Sequence, residues 1–444
     1  MSMFVHKRKK LTSFQIIILG FSCMILLGTV FLMLPFSSQE GIVTPFSEAL
    51  FTSTSAVCVT GLVLHDTASY WSSFGQLVII LLIQIGGMGV ITVAASFAMI
   101  SGRKISLMQR STMQEAISAP KVGGIVRLTG FIVKSTLLFE LLGTVVMAPV
   151  FFRDFGGRGI WMALFHSISA FCNAGFDLMG KREAFSSLTA YSAEPVVNLI
   201  IMFLIVVGGI GFLTWDDIRT NRLHLHKYRV QSKVILCTTV ILLIVPAVYF
   251  YFCEFGTLMP GERILSSVFQ AVTPRTAGFN TVDLTALSEQ GQYIIIALML
   301  IGGSPGSTAG GMKTTTIAVL FAAAISTFCR KEQTHFFGRR IGDTVVKNAA
   351  TILLMYLVLF FFGGLAISML EGLPMLTCLF ETASAVGTVG LSLGITPGLG
   401  TLSRLILILL MFFGRVGGLT LIFAALSGTH KKAARFPQEK ITVG

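Results

Sequence analysis

Four short stretches of the chain each carry a glycine where a backbone loop could bind a dehydrated cation. Aligned on that glycine, they are residues 55–62, 169–176, 272–279 and 384–391, with the glycines at Gly61, Gly175, Gly278 and Gly390. Glycine takes a positive φ at little steric cost, which lets neighbouring carbonyl oxygens point at a common axis. A ring of such oxygens can replace the hydration shell of a monovalent cation.

The four residues that end at each glycine are the candidate ion-binding positions. None of them is Asp or Glu, so the carboxylate ring that would hold a divalent cation is missing. The positions are Cys58, Val59, Thr60 and Gly61; Cys172, Asn173, Ala174 and Gly175; Arg275, Thr276, Ala277 and Gly278; and Gly387, Thr388, Val389 and Gly390.

Several charged residues lie close to these stretches. Asp66, Asp177 and Asp283 follow the glycines, and they either form a vestibule that attracts cations or are ordinary solvated loop charges. Arg275 lies within the third stretch, where its charge would repel a cation. We expect its side chain to point behind the loop, against an acid such as Glu381.

The elements that hold these loops are apolar helices. The 444 residues are 54% hydrophobic and only 12% charged, which excludes an ordinary soluble surface. Six runs are each close to the ~20 apolar residues that cross a bilayer as a helix, namely residues 13–34, 77–100, 196–214, 234–252, 349–369 and 405–426. The first run is too long for a signal peptide, and no small-residue cleavage site follows it. The sequence therefore predicts an all-α integral membrane protein.

The net charge of +13 is distributed unevenly along the chain. Of the 33 Lys and Arg residues, 23 lie in five segments that hold only six acids, which gives those segments a charge of +17. The five are residues 7–10, 101–127, 216–233, 330–347 and 428–444, and the alternating segments are net acidic. This is the positive-inside pattern, and it predicts that both termini are cytoplasmic. Nucleic-acid binding becomes a minor interpretation.

The helical signals recur in one order four times, and the loop glycines are 114, 103 and 112 residues apart. In each of these four units the sequence predicts a crossing helix, then a half-helix of roughly 13 residues that is too short to cross, then a loop, and then a second crossing helix. Two crossings return the chain to the cytoplasmic side, so the units are parallel repeats about an axis along the membrane normal. Non-helical backbone at this depth must line a water-filled path or be buried in protein. We therefore predict four re-entrant pore loops around one central pore, in units 1–126, 127–232, 233–346 and 347–444.

The expected bounds follow from these signals. The half-helices are predicted at residues 45–57, 160–171, 262–273 and 374–385. In the first two units the second crossing is expected as a single helix, over residues 71–100 and 195–215. In the third unit it is interrupted, because residues 301–313 contain five glycines and a proline. Arg415 in the fourth unit lies at membrane depth, where a lone charge is costly and normally has a partner or a cavity.

Three motifs make the chain resemble the superfamily of potassium transporters called Trk, Ktr and HKT, most closely the Ktr membrane subunits. The motifs are Val59-Thr60-Gly61-Leu62, residues 270–279 and residues 412–418, and the resemblance covers nearly the whole chain. It implies four M1-P-M2 repeats, a homodimer in the bacterial plasma membrane, and potassium uptake with sodium as a candidate activator. In plant relatives a serine at the first loop glycine is associated with sodium permeation, so Gly61 implies selectivity for potassium.

By the same resemblance, residues 302–313 form a gating loop below the filter, and Arg415 contacts this loop and helps to hold it closed. The gate residues are Gly302, Gly303, Ser304, Gly306, Ser307, Thr308, Gly310, Gly311, Lys313 and Arg415. The resemblance also implies a separate regulator, an octameric KtrA-like ring of RCK subunits that binds ATP or ADP and docks on the basic cytoplasmic face. On this view the chain itself binds neither nucleotide nor nucleic acid.

Other motif interpretations fit less well. Residues 306–314 come near a phosphate-binding GxxxxGKT loop, but a methionine separates the second glycine from the lysine. The glycine runs at 86–89 and 208–211 resemble dinucleotide fingerprints without a preceding strand, and close helix packing explains them better. The histidines show no ligand geometry, and solvated or interfacial positions are expected for His65, His166, His224, His226 and His335.

Two alternative functions stay open. A symporter would couple potassium movement to sodium or protons, whereas a channel-like path follows the potassium gradient alone. A membrane scaffold would only recruit cytosolic partners through its basic loops, but it has no use for costly non-helical backbone at mid-membrane. An enzyme is disfavoured, since the sequence has no recognisable nucleophile and base constellation.

Overall fold

The structure is a computed structural model that describes residues 12–101, 105–117, 119, 121–418 and 420. Within these residues the chain is almost entirely helical. Four helices are long and apolar enough to cross a membrane, and the number rises to six when two bent helix pairs are each counted as one span. The four are Ser13–Met33, Ile125–Phe155, Val230–Glu254 and Asp343–Glu371.

In the first half of the chain, a long helix is twice followed by a short one and then by a bent pair. The helices are α1 (Ser13–Met33), α2 (Phe46–Val57), α3 (Thr67–Tyr70), α4 (Ser73–Met88), α5 (Val90–Ile100), α6 (Leu107–Ile117), α7 (Ile125–Phe155), α8 (Arg158–Phe171), α9 (Pro195–Gly209) and α10 (Phe212–Asn221). Single 3-10 turns lie at Pro35–Ser37, Thr189–Tyr191 and Leu225–Lys227.

The second half again places a short helix after each long one. Its helices are α11 (Val230–Tyr249), α12 (Pro260–Val272), α13 (Glu289–Leu300), α14 (Thr314–Phe328), α15 (Asp343–Glu371), α16 (Met375–Gly387) and α17 (Thr401–Val416). A π-helical turn, Phe250–Glu254, extends α11, and 3-10 turns lie at Leu284–Ala286 and Thr396–Gly398. Strands β1 (His335–Phe336) and β2 (Arg339–Arg340) form an antiparallel hairpin.

The short helices α2, α8, α12 and α16 lie within two residues of the predicted half-helix bounds. They have 12 to 14 residues, so at ~1.5 Å per residue each spans roughly 20 Å and falls short of a bilayer. Each packs against the long helix that precedes it. A fully buried phenylalanine anchors each one, at Phe51, Phe165, Phe269 and Phe380. The half-helices are therefore enclosed by protein mainly in their carboxyl-terminal turns.

The expectation of one continuous second crossing in the first two units is wrong. The axes of α4 and α5 are bent by 93° at Gly89, and those of α9 and α10 by 96° just before Phe212. Gly89 and Gly211 have φ of +85° and +91°, a conformation that ends an α-helix. The apolar runs 77–100 and 196–214 continue through both bends, so hydropathy alone could not locate them.

The break in the third unit lies where it was predicted. Helix α13 ends at Leu300 and α14 begins at Thr314, with residues 301–313 between them in irregular structure. In the fourth unit α17 ends at Val416, and Gly417 has a φ of +85°. The remainder of the fourth predicted crossing lies outside the described residues, apart from residues 418 and 420. Among the described residues, the first two predicted second crossings thus bend at or near a glycine, the third is interrupted beside one, and α17 ends at one.

Candidate ion pathway

The four loops bend at the same two positions relative to the alignment glycine. The glycine itself has a positive φ in every loop, as predicted: +92° at Gly61, +69° at Gly175, +79° at Gly278 and +95° at Gly390. The residue two positions earlier also has a positive φ, between +51° and +66°, at Val59, Asn173, Thr276 and Thr388. This second bend was not predicted, because side-chain-bearing residues, above all valine and threonine, rarely adopt that conformation.

The four glycines lie against one another in a closed ring. A Cβ built on any one of them would come closer than 3.0 Å to the carbonyl oxygen of the residue that precedes the next glycine. The contacts run from Gly61 to Ala174, from Gly175 to Ala277, from Gly278 to Val389 and from Gly390 to Thr60. The loops are 103 or more residues apart in sequence, yet they meet at one point.

The sixteen candidate ion-binding residues all lie at this meeting point or within the turn that leads to it. All are buried except Gly390, which is half-buried. The half-helices end there too, with Cys58, Cys172, Thr273 and Thr388 as their carboxyl caps. The partly negative ends of four helices therefore converge on the ring, which favours a cation at its centre.

Hydroxyl groups of the half-helices fasten two of the loops. The Ser55 hydroxyl oxygen accepts the Gly61 N–H at 3.1 Å, and Ser384 accepts the Gly390 N–H at 2.9 Å in the same register. The third loop has valine at that register, and the neighbouring Thr273 hydroxyl donates to the carbonyl of Phe279 instead. These bonds fix the loop backbone from the side away from the ring.

Arg275 points behind its loop, as expected, but its predicted partner is wrong. The guanidinium Nη2 donates to the hydroxyl of Thr239 on α11 at 3.4 Å. Glu381 is occupied elsewhere, because it accepts the Thr396 hydroxyl at 2.8 Å and the Leu393 N–H at 3.2 Å from its own outer loop. Only the carbonyl oxygen of Arg275 turns toward the neighbouring loop, where it accepts the Asn173 amide at 3.3 Å.

A cavity of about 380 Å³ opens on the other side of the ring from the half-helices. It is lined by all four glycines together with Asp66 and Asp177. Burial raises the pKa of the Asp177 carboxyl to about 7, and repulsion by Asp66 acts in the same direction. Asp66 also caps α3 and accepts the Phe185 N–H at 3.1 Å. Asp283 caps a 3-10 turn away from the cavity, so only two of the three predicted vestibule acids line it.

The interrupted segment, residues 302–313, packs against the face of the glycine ring where the half-helices end. A Cβ on Gly310 would clash with the Thr388 side chain, and one on Gly311 would come 2.7 Å from the carbonyl oxygen of Gly387. The Gly311 N–H donates to the Gly414 carbonyl at 3.0 Å. The predicted gate residues therefore lie directly beneath the predicted filter residues of the fourth loop.

The same segment is tied to the second unit. The N–H groups of Ser304 and Thr308 donate to the carbonyls of Gly209 and Gly208 at 3.0 and 3.3 Å, and Gly306 accepts the Phe212 N–H at 2.6 Å. Internal bonds stiffen it further, with the Ser307 hydroxyl donating to the Ser304 carbonyl at 2.7 Å. Its glycines allow this close packing, since a Cβ on Gly302 or Gly303 would also clash with the segment itself.

Two cations hold carbonyl groups of the segment. Arg415 donates through Nη1 to the Thr308 carbonyl and through Nη2 to the carbonyls of Gly86 and Gly87, the latter at 3.0 Å. Lys313 donates to the carbonyl of Ala309 at 2.9 Å and to that of Gly310 at 3.2 Å. Both side chains line an inner cavity of about 270 Å³. Arg415 thus joins the interrupted segment to the bend of the first unit.

Asn173 connects the filter loops with the interrupted segment, which sequence reasoning did not predict. Its amide nitrogen donates to the third loop, at the Arg275 carbonyl, and its Oδ1 accepts the Thr308 hydroxyl at 3.2 Å. The Thr308 hydroxyl also lies 3.0 Å from the Phe171 carbonyl at the end of α8. One side-chain pair therefore touches the second loop, the third loop and the segment beneath them.

The glycine runs of the second crossings pack against the half-helices, as the sequence suggested. In three units the first glycine of the run lies so close to a half-helix carbonyl that a Cβ there would clash. That carbonyl belongs in each case to the residue four positions before the loop glycine. The pairs are Gly86 with Val57, Gly208 with Phe171 and Gly414 with Val386. The ends of the first, second and fourth half-helices are therefore in close contact with the glycine run of their own unit.

Two buried polar side chains behind the second loop were also missed. His166 was expected to be solvated or interfacial, but it is fully buried in α8, with Nε2 3.3 Å from the Leu178 nitrogen. Glu140 on α7 is buried and accepts the Gln84 amide at 3.1 Å, close to the Cys172 thiol. Neither residue belongs to a local motif, so only the tertiary structure reveals them.

The family model described as TrkH, a cation transport protein, matches residues 6–431 of the chain. The chain belongs to this family. The resemblance inferred from the loop motifs is thereby confirmed. Since the matched residues extend from the first helix beyond α17, the TrkH-family assignment applies to all four loops and to the interrupted segment.

Several TrkH-family relatives are similar over almost their entire length. The potassium/sodium uptake protein NtpJ of Enterococcus hirae is 39% identical over 98% of this chain and 98% of its own. The Ktr system potassium uptake protein B of Bacillus subtilis is 37% identical over 99% of this chain and 98% of its own. The crystal structure of the potassium transporter TrkH from Vibrio parahaemolyticus superposes with a TM-score of 0.74 at 20% identity, covering 95% of this chain and 86% of that one. This last similarity supports the fold alone.

Proposed function

We propose that the chain forms a potassium uptake pathway through the membrane, with the ring of four loop glycines as its selective constriction. The observation that carries this proposal is the mutual contact of Gly61, Gly175, Gly278 and Gly390 in non-helical backbone enclosed by the half-helices. Such backbone at membrane depth lines a path or is buried in protein, and here one side of it faces the outer cavity. The relatives named above as potassium or potassium/sodium uptake proteins support the choice of cargo.

In this proposal the filter consists of the carbonyl groups of the sixteen residues that end at the glycines. A potassium ion that sheds its water there meets carbonyl oxygens and four helix carboxyl ends, but no carboxylate. The lack of carboxylates at these positions disfavours divalent cations. The surrounding helices are then four M1-P-M2 repeats, residues 1–126, 127–232, 233–346 and 347–444, arranged around one pore.

We propose that residues 302–313 form the gate. Their position between the ring and the inner cavity supports this role, because an ion that leaves the filter inward must pass them. Arg415 and Lys313 hold the segment through its carbonyl groups, which stabilises the closed arrangement. The gate residues Ser304, Gly306 and Thr308 contact the second unit, and Gly310 and Gly311 contact the fourth. The gate residues Gly302, Gly303 and Ser307 make contacts within the segment itself.

Regulation and assembly are proposed by analogy with the Ktr relatives. We propose a homodimer in the bacterial plasma membrane with both termini cytoplasmic, regulated by an octameric KtrA-like ring of RCK subunits that binds ATP or ADP. Sodium is proposed as an activator and not as an obligatory partner of each potassium ion. The five basic segments support docking of a regulator on the cytoplasmic face. Nucleotide binding is assigned to the ring and not to this chain.

The test is ion flux into liposomes that contain the purified protein, with and without its cytosolic regulator. We expect potassium flux down its own gradient, in the absence of sodium and proton gradients, and little sodium flux. Gly61→Ser should admit sodium, because the φ of +92° and the Ala174 oxygen 2.5 Å from a Cβ leave no room for a side chain. The matched control is Gly41→Ser, at a φ of +72° with no atom near its Cβ position.

Three outcomes would contradict the proposal. Flux that stops without a sodium or proton gradient would support coupled symport. Absence of any ion flux, with the regulator present, would support the scaffold alternative. Equal effects of the Gly61 and Gly41 substitutions on selectivity would show that the ring is not the filter.

A further inference from the structure

A cavity of about 650 Å³ lies at the end of α7 that is remote from the filter loops. It is formed by the residues before α7, the first two turns of α7, helix α10 and the start of α11. The basic side chains in its lining are Lys121, Arg127, Arg219 and Arg229, and the acidic one is Asp216. No part of the proposed ion path uses this cavity.

The positive charge in the cavity is mostly unpaired. Arg229 is offset by its contacts with Asp216 at 2.8 Å and Asp217 at 3.5 Å. Arg219 lies over the Phe131 ring at 4.8 Å, a contact that leaves its charge in place. Lys121 and Arg127 are exposed and have no ion pair or hydrogen bond within the described part of the chain. Among the described residues, three cations therefore face one space without a counter-charge, which makes this space attractive to an anion.

Arg127 belongs to the stripe of α7 that faces outward from the helical bundle. In an α-helix, residues that are 7, 11, 14 or 18 positions apart lie on the same face, because each spacing is close to a whole number of turns. The face that contains position 127 therefore also contains positions 134, 138, 141 and 145. All five are exposed, and Leu138, Leu141 and Val145 are 55%, 59% and 61% exposed. Position 134 is a second cation, Lys134, so the apolar part of this stripe begins at Leu138. An exposed apolar stripe on a membrane helix is covered by lipid chains. The cavity therefore opens at the base of a lipid-facing surface.

The depth of the cavity matches the head-group layer. Helix α7 has 31 residues, about 46 Å at ~1.5 Å per residue, whereas the hydrocarbon core is roughly 30 Å thick. Its first turns therefore extend beyond the hydrocarbon. Helix α10 contributes Asp216 and Arg219 to the cavity wall, and because charged side chains are costly within hydrocarbon, this wall lies at the polar boundary. Both walls of the cavity then lie at the polar boundary, on the side that we propose to be cytoplasmic.

The backbone at the start of α7 also suits a phosphate group. Gly124 is its cap residue, has a φ of +80° and provides no side-chain cap. The N–H groups of Val126 and Arg127 have no acceptor among the described residues. Nothing lies within 4 Å of a Cβ built on Gly123 or Gly124, so the space beside these N–H groups is open. Free N–H groups at a helix start favour an anion.

We propose that this cavity binds the phosphate head group of an anionic phospholipid of the inner leaflet, with the acyl chains along the exposed stripe of α7. Basic pockets between membrane helices on the cytoplasmic side suit such head groups. Free phosphate shares the head-group chemistry, but the exposed apolar stripe from Leu138 to Val145 above the basic residues provides a surface suited to acyl chains. A cytosolic protein partner would reach the basic residues without contacting that stripe.

The test uses the purified full-length protein in its native assembly, in nanodiscs of phosphatidylcholine with and without a quarter of phosphatidylglycerol. Native mass spectrometry counts retained phosphatidylglycerol as its proportion rises. We expect the double variant Arg127→Gln/Arg219→Gln to need about 25-fold more phosphatidylglycerol, at roughly fivefold for each cation near an anionic lipid surface. Lys121→Gln/Arg127→Gln, which removes two exposed side chains and disturbs no ring contact, should weaken retention to a similar degree.

The matched control is Lys331→Gln/Arg339→Gln, which removes two exposed cations around the β1–β2 hairpin. Retention in this control should stay within twofold of the unaltered protein. Equal losses in the control and in both cavity variants would overturn the proposal, since general charge would then explain them. Displacement of the retained lipid by inorganic phosphate or glycerol phosphate would assign the cavity to a free anion instead. Unchanged lipid retention together with lost binding of the cytosolic regulator would assign it to protein docking.

Discussion

Gly390 packs directly against the carbonyl group of Thr60, so the last of the four loops touches the first. Two separate constraints require glycine there. Its φ of +95° is unfavourable for any other residue, and a Cβ would overlap the Thr60 oxygen. The same pair of constraints holds at the other three loop glycines. The geometry of the ring is therefore fixed by backbone contacts between units and not by side-chain ligands.

The substitution Gly390→Ala, compared with a control glycine, tests whether the contact with Thr60 matters beyond the backbone strain at a positive φ. We expect it to abolish selective potassium flux, because the fourth loop must move away from Thr60 to make room for the methyl group. The potassium-to-sodium flux ratio in liposomes measures this effect. The thermal unfolding midpoint should fall as well, since a strained φ alone costs about 1–3 kcal/mol.

Gly394→Ala is the matched control for that substitution. Gly394 has a φ of +87° in the same outer loop, but no atom lies within 4 Å of its Cβ position. It should lose a similar amount of stability from backbone strain and keep its selectivity. If Gly390→Ala retained the selectivity of the control, contact between the first and fourth loops would not be needed for discrimination.

Ser55→Ala tests the hydrogen bond behind the first loop. The Ser55 hydroxyl oxygen accepts the buried Gly61 N–H, and leaving that donor unpaired costs about 1–3 kcal/mol. We expect the loop to relax and the potassium-to-sodium flux ratio to fall several-fold. Ser53→Ala is the control on the same half-helix, since Ser53 donates to the Ile25 carbonyl, which keeps a second donor in Thr29. A normal flux ratio in the Ser55 variant would contradict a supporting role for this bond.

The half-helices and the interrupted segment could be predicted because their signals are local. A helix of twelve to fourteen residues between turn residues is too short to cross, and a segment with five glycines and a proline cannot remain helical. The bends at Gly89 and Gly211 could not be predicted in the same way. Each glycine run gave a signal for close packing, which is correct, but the positive φ of its last glycine depends on the direction that the next helix takes.

The site residues show the same division between local and long-range information. The loop glycines align by sequence, whereas the positive φ of Val59 and Thr388 contradicts the preference of β-branched residues. Those residues adopt it because neighbouring loops fix the backbone on both sides. Likewise, nothing local could pair Arg275 with Thr239 in preference to Glu381, since the acid is satisfied by groups that only the folded outer loop brings near.

Arg415→Gln tests the proposed closing role of the guanidinium. Arg415 joins the Thr308 carbonyl to the carbonyls of Gly86 and Gly87, and glutamine cannot span both groups. Hydrogen bonds from charged donors contribute about 1.5–3 kcal/mol, so loss of one shifts a closed-to-open equilibrium by roughly tenfold or more. We expect potassium flux without the regulator to rise by about that factor.

The control for this prediction is Arg404→Gln on the same helix. Arg404 lies eleven residues earlier in α17 and contacts the Pro397 carbonyl and Glu48, away from the interrupted segment. Its loss should leave regulator-free flux unchanged. Unchanged flux in a stably folded Arg415→Gln protein would mean that the segment is held closed by other contacts.

Thr308→Val tests the link between the gate segment and the filter loops. Valine keeps the shape of threonine but removes the hydroxyl that bonds Asn173 Oδ1 and the Phe171 carbonyl. Asn173 also holds the third loop, so its release should disturb gate and filter together. We expect higher regulator-free potassium flux and a lower potassium-to-sodium flux ratio in the same variant. Thr308→Ser retains the hydroxyl and should restore both values, whereas a change in flux without a change in the ratio would show that the gate opens independently of the filter.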